Sequence, residues 1–321
     1  MRVIDGRTGL DAMHPYGLDT HEYQVGAHHY SAYGLSLRSQ IRLPALATTG
    51  SSPADLEVRR GVVRMPDGCE DSRSWITPEE IYFRVENAGR IGVSKGSQIV
   101  IDAPHFDDRV AGLFVIGPAM GALLHQRGLL VLHASAVVLN GRVIAFLGHS
   151  GSGKSTMAAA MVKFGAVSFC DDLVPVSLLD DAPTVSCGYP FLKLTQESGE
   201  ILGFGNRDWT PLIPGDARCL VKVAASSSTA LPLDRVYVLG AGDRPEIELL
   251  EPQRAALQLI RYSYARPWIR NSGMSARHLH SCAALVPCAS IRNLIRPFRL
   301  DLIHEVAELV LADCEAGGFS K

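Results

Sequence analysis

The chain has 321 residues, 47% hydrophobic and 20% charged, an ordinary globular composition with length for one large domain or two. A formal net charge of −2 provides no global field for nucleic acid or an acidic membrane surface. The seven cysteines lack C-x-x-C or Cys/His metal spacing, M-R-V-I-D-G-R has no apolar signal core, and no apolar run is long enough to span a bilayer, so the expectation is a cytoplasmic protein with reduced thiols.

Met1 to His29 is polar and carries His14, His21, His28 and His29, without a carboxylate or cysteine at metal-ligand spacing, and reads as a partly ordered terminus. From Tyr33 the pattern becomes strand-rich. Tyr33 to Leu43 stops at Pro44, Asp55 to Val63 reads as a strand, Ile81 to Glu86 and Arg90 to Val93 as a hairpin across Asn87-Ala88-Gly89, and Gln98 to Ile101 as a further strand. This half has no chemical motif of its own, and scaffold or substrate docking are both open to it. Asp107 caps a predicted helix from Arg109 to Gln126, kinked at Pro118 and ended by Gly128. The domain boundary falls here, dividing the chain into 1–125 and 126–321.

Leu130 to Leu139 is apolar, Asn140-Gly141 is a strong two-residue turn, and Arg142 to Leu147 is the return strand. In that register paired residue numbers have a constant sum, which sets His133 opposite Gly148. A histidine there could orient a catalytic carboxylate or stabilise phosphate charge, although a histidine in an apolar strand is more often a satisfied core residue.

After that strand comes G-H-S-G-S-G-K-S-T, residues 148–156, and a helix-forming run to Lys163. Strand, G-x-x-x-x-G-K-S and helix together make a P-loop. Gly148, Gly151 and Gly153 let the backbone turn so that N–H groups of the loop, including those of Ser150, Ser152 and Thr156, converge on phosphate oxygens at a helix N-terminus. Lys154 supplies a cation for the outer phosphates and Ser155 a hydroxyl for Mg²⁺. The expected cofactors are ATP and Mg²⁺.

The helix ends near Gly165, and Ala166 to Cys170 reads as a buried strand that delivers Asp171-Asp172 beside the phosphates. If extension continues through them, the two carboxylates point to opposite faces and take different tasks. One would hold Mg²⁺ and the other accept a proton from an attacking hydroxyl.

Beyond them, Val174 to Leu179, Thr184 to Cys187, Phe191 to Leu194, Leu220 to Val223, Val236 to Leu239 and Ser290 to Ile295 read as strands. Glu197 to Leu202, Pro252 to Tyr264 and Leu300 to Glu315 read as helices, and Gly203 to Pro214 as a loop long enough for a lid. Arg254, Arg261, Arg266, Arg270, Arg277, Arg292, Arg296 and Arg299 form a C-terminal accumulation of guanidinium groups, of which one or two could touch nucleotide or an acidic substrate end.

The order L-H-A-S-A-V (132–137), N-G, G-H-S-G-S-G-K-S-T (148–156), F-C-D-D (169–172) and G-Y-P-F-L-K-L (188–194) resembles the HPr serine kinase/phosphorylase superfamily. Within it, the chain is similar to the HPr-kinase-like enzymes of lasso-peptide clusters, which phosphorylate a precursor peptide at its C-terminal serine. The resemblance implies an α/β fold with a phosphoenolpyruvate-carboxykinase-like P-loop on a mixed sheet. It implies His133 as active-site histidine, Asp171 as base, Asp172 and Ser155 on the Mg²⁺ side, and Lys154 as phosphate lysine. One departure is that Glu197-Ser198-Gly199-Glu200 lacks the arginine that HPr kinases carry after their aspartates. That speaks against HPr as substrate and against phosphorolysis.

Three classes therefore compete: an ATP- and Mg²⁺-dependent kinase for a peptide or protein serine, which is the favoured reading; a small-molecule kinase or carboxykinase-like enzyme; and a non-catalytic nucleotide sensor. The expected partner is a peptide or protein with an acceptor serine, with neither nucleic acid nor membrane, and homo-oligomerisation stays open.

Overall fold

Strands that alternate buried and exposed positions at one edge, and strands with continuous buried runs at β5–β7, build the N-terminal half into one mixed sheet. The protein is represented by a computed structural model describing residues 27–70, 72–85, 89–179, 182–205, 210–212, 216–224, 226–264 and 273–316. Strands β1 (His28–Ala32), β2 (Leu35–Ser39), β3 (Leu56–Arg60), β4 (Ser74–Ile76), β5 (Glu80–Val85), β6 (Gly89–Ser94) and β7 (Gln98–Asp102) lie in the order β1-β2-β3-β7-β6-β5-β4. His28 and His29 are thus strand residues, while His14 and His21 lie outside the described residues. The expected stretch from Tyr33 is a strand over Leu35–Ser39, the second arm of the β1–β2 hairpin. Tyr33-Gly34, with φ of 56° and 73°, forms its turn, a tight geometry that a tyrosine does not advertise in sequence.

Asp107 caps the next helix as expected, its carboxylate accepting from the Val110 N–H at 2.8 Å. The helix runs through α1 (Asp108–Phe114), a π-helical turn (Val115–Ala119) and α2 (Met120–Gln126). Pro118 lies in the π-helical turn, and widening absorbs its missing N–H and its bulky ring.

The second sheet carries the glycine-rich loop of residues 148–153. It contains β8 (Leu130–Leu132), β9 (Ala134–Leu139), β10 (Arg142–Leu147), then after α3 (Lys154–Lys163) β11 (Val167–Cys170), β12 (Val174–Ser177) and β13 (Thr184–Ser186). A separate small sheet follows, made of β14 (Phe191–Thr195), β15 (Thr210–Pro211) and β16 (Arg218–Lys222), with α4 (Gln196–Ile201) leaving β14 directly. The main sheet is completed by β17 (Ala230–Ala241), β18 (Glu246–Leu249) and, after α5 (Pro252–Arg261) and α6 (Ser275–Leu285), β19 (Ser290–Arg296). A short 3₁₀ turn at Leu300–Leu302 leads into α7 (Ile303–Ala316).

The β9–β10 pairing runs from Arg142 opposite Leu139 to Leu147 opposite Ala134, which is the register expected from the Asn140-Gly141 turn. Leu130 to Leu139 is not one strand, however. It breaks at His133: β8 pairs with β12, whereas β9 lies between β10 and β11.

Side-chain alternation on β10 divides the interior. Val143, Ala145 and Leu147 face a large buried cluster that continues through Leu123, Val93 and Leu37 into the N-terminal sheet, so one core spans the expected 125/126 boundary. Ile144 and Phe146 face a second cluster with Met157 of α3, Tyr237 of β17 and Val306 of α7. Fully buried aliphatic and aromatic side chains are each worth about 1.5–3 kcal/mol, so both faces of β10 are anchored and the loop leaving it has a rigid base.

Candidate active site

Strand direction explains why the site residues gather. β10 runs parallel to β17 and antiparallel to β9, which is antiparallel to β11. The C-terminal ends of β10 and β11 and the N-terminal end of β9 therefore share one sheet edge. That edge holds the glycine-rich loop 148–153, Asp171-Asp172 and, between them, His133 and Ser135. Ligands in α/β sheets collect at such an edge.

The loop itself is well formed. Gly153 has φ 84°, and a Cβ on it would come within 2.3 Å of an Arg296 nitrogen, so only glycine fits there. Lys154 Nζ donates to the Gly148 and His149 carbonyls at 3.1 and 2.9 Å, which folds it back over its own loop. Burial lowers its pKa from the ordinary lysine value, against the pull of Asp172 and Asp171. Ser150, Gly151, Gly153, Lys154, Ser155 and Thr156 line a cavity of about 310 Å³. Ser152 is buried, its carbonyl accepting from Arg296 Nη2 at 2.6 Å.

The two aspartates differ sharply. Asp171 is 1% exposed. Its Oδ1 accepts from Ser135 Oγ at 2.6 Å and Ser155 Oγ at 2.8 Å, and its Oδ2 from the Lys193 backbone N–H at 2.7 Å. Burial pushes its carboxyl above the ordinary carboxylate value, opposed by Lys193 and the Ser135 bond. Asp172 has φ 73° and turns out of the strand into the cavity. Lys193 Nζ lies 2.7 Å from its Oδ2 and His133 Nδ1 3.3 Å from its Oδ1. Burial would raise Asp172, but Lys193 and His133 outweigh it and hold the carboxyl below the ordinary value. Burial, helped by Lys154, pushes His133 down to about 4 against the pull of Asp172, so its imidazole is neutral at pH 7.

These contacts pair the groups differently along hydrogen bonds. The Ser155 hydroxyl donates to Asp171, while His133 and Lys193 are the partners of Asp172; Ser155 and Asp172 both line the cavity.

Sequence reasoning missed several members. Ser135 lies two residues beyond His133, at the start of β9, and both line the cavity. Lys193 is the lone charge in F-L-K-L, and Arg218 reaches the cavity from the paired β16. Tyr264 covers His133 with ring centroids 5.7 Å apart. It lies so close to α2 that a Cβ on Gly121 would meet its ring at 2.5 Å. Of the arginines, Arg296 and Arg299 line the cavity; Arg266 and Arg270 lie outside the described residues, as does part of the expected lid loop. Glu197 lines the cavity whereas Glu200 bonds Gln196 at an exposed position. Among the described residues no three His, Cys, Asp or Glu side chains cluster as metal ligands, and no helix is long and apolar enough to cross a membrane. All seven cysteines are unpaired.

No family model and no curated protein matches the chain. Solved structures similar to it include the Hpr(Ser) kinase/phosphatase from Coxiella burnetii, 12% identical, aligned over 58% of this chain and 93% of that one with a TM-score of 0.29. Similarity at that level carries no argument; the geometry of the site does.

Proposed function

We propose that the chain is an ATP- and Mg²⁺-dependent kinase for a serine hydroxyl of a peptide or protein, with the C-terminal serine of a lasso-peptide precursor as its specific acceptor. The observation that carries this reading is the bonding of Ser155 to Asp171 beside a second carboxylate, Asp172, that opens on the P-loop cavity.

The residues present fit both cofactors. Ser155 Oγ, on the cavity wall, would be the oxygen offered to Mg²⁺, with Asp171 Oδ1 2.8 Å behind it holding the hydroxyl in place. The glycine-built loop presents N–H groups to phosphates, and Lys154 has only backbone carbonyls to leave when a phosphate arrives. When bound, MgATP supplies the transferable phosphoryl group and charge neutralisation.

The chain's own residues do the positioning. Asp171, fixed by Ser135 and the Lys193 N–H, holds the Ser155 hydroxyl in place. Asp172, kept ionised by Lys193, accepts the proton of the incoming hydroxyl at a carboxylate oxygen. His133 orients that carboxylate, and Tyr264 covers the imidazole and limits water around it. This division exchanges the roles expected for the two aspartates, because the hydroxyl of the P-loop is already committed to Asp171.

The test is intact-mass analysis of serine-ending peptides incubated with the protein, ATP and Mg²⁺, with Ser→Ala and C-terminally amidated controls. A gain of about 80 Da per phosphate, absent from the Ser→Ala control, is expected. Loss on amidation would show that a free terminus is read. No gain on any peptide while ATP binds would overturn the peptide-kinase reading in favour of a small-molecule kinase or a sensor.

A further inference from the structure

β10, β17 and β19 are parallel neighbours, so the C-terminal end of β19 emerges at the same edge as the P-loop. The chain leaves that strand as Arg296-Pro297-Phe298-Arg299. Arg296 fastens this exit to the loop by donating to the Ser152 carbonyl at 2.6 Å, and its guanidinium carbon lies 5.6 Å from the centre of the Phe298 ring. Phe298 itself is 73% exposed, at the wall of the cavity that the P-loop lines. A large apolar ring left in water beside a phosphate-binding loop forgoes burial unless a ligand covers it. A planar ring backed by a guanidinium is also the platform on which nucleobases stack.

We propose that Phe298 is the base platform of this site: the adenine ring of the nucleotide stacks on it while the phosphates occupy the P-loop. The assignment rests on the nucleotide reading above and adds where the base goes. Arg296 has a positioning role, joining the platform to the loop so that base and phosphates are held at a fixed spacing. Arg299 is paired with Asp301, at 3.1 and 2.5 Å, which leaves the ring face as the recognition element of this exit.

The test compares ligands that share phosphates and differ in the base. Titration calorimetry with Mg²⁺ would measure ADP and inorganic pyrophosphate on the wild type, Phe298→Ala and Phe298→Trp. Stacking of one base predicts that Phe298→Ala weakens ADP about 10-fold and leaves pyrophosphate unchanged, while Phe298→Trp retains ADP affinity. Unchanged ADP affinity in Phe298→Ala would overturn the proposal. Equal weakening of ADP and pyrophosphate would overturn it too, since the ring would then act only through Arg296 and the loop. A wild-type protein that binds neither ligand would sink the nucleotide reading itself, an outcome distinct from both.

Discussion

Asp171 and Asp172 are neighbours in sequence with opposite environments. Asp171 is sealed in and accepts three hydrogen bonds, two from hydroxyls and one from a backbone N–H. Asp172 faces the cavity between a lysine and a histidine. Burial dominates the first carboxyl and raises it; paired charge dominates the second and lowers it. On the proposed kinase reading, an identical side chain anchors the glycine-rich loop in one position and accepts the proton in the next.

The sharpest way to break this comparison is to neutralise each acid in turn. Asp172→Asn is expected to reduce turnover by more than about 10²-fold, the usual worth of a general base, with ATP affinity held. Asp171→Asn is expected to weaken Mg²⁺-dependent ATP binding and to lower thermal stability. Should Asp171→Asn abolish turnover with normal nucleotide binding, the two roles would have to be exchanged.

Next in size is a pH effect on stability. Burial pushes His125 down to about 4, and its Nε2 lies 2.9 Å from the carbonyl of Tyr264, the residue that covers His133. The folded value lies below the unfolded one of about 6.5, so between them the unfolded chain binds more protons. Stability contributed by neutral His125 is thus full above about pH 6.5 and lost as pH falls toward 4, on the order of 3 kcal/mol in all. Denaturant unfolding across that window should show the slope, and His125→Gln should reduce it, leaving the share of His133, which is pushed down to the same range. An unchanged slope in that variant would remove His125 from the account.

Ser135→Ala removes a hydrogen bond to the buried Asp171 and is expected to cost about 1.5–3 kcal/mol of stability. Turnover should fall far less than in Asp172→Asn; a comparable fall would place Ser135 in the chemistry. The smallest effect concerns Lys193. Lys193→Met removes the main charge that holds Asp172 down, so the acid limb of the pH–rate profile should move to higher pH. A limb that stays in place would mean that Asp172 does not set it.

The sequence determined by itself what depends on local patterns: the strand-loop-helix of residues 143–163, the Asn140-Gly141 hairpin register, the Asp107 cap and the strand leading to Asp171-Asp172. Each rests on contacts close along the chain or on a turn with a strong residue signal. Tertiary structure decided the rest. Nothing in the apolar run Leu130 to Leu139 shows that it changes partners at His133, because a strand's partners lie far away in sequence. β18 and α6 likewise take their form from the surfaces they pack against. The division of labour between the aspartates belongs to the same class. Sequence predicts that neighbouring carboxylates diverge, but only the fold brings Ser135, Ser155 and the Lys193 N–H to one and His133 with the Lys193 ammonium to the other.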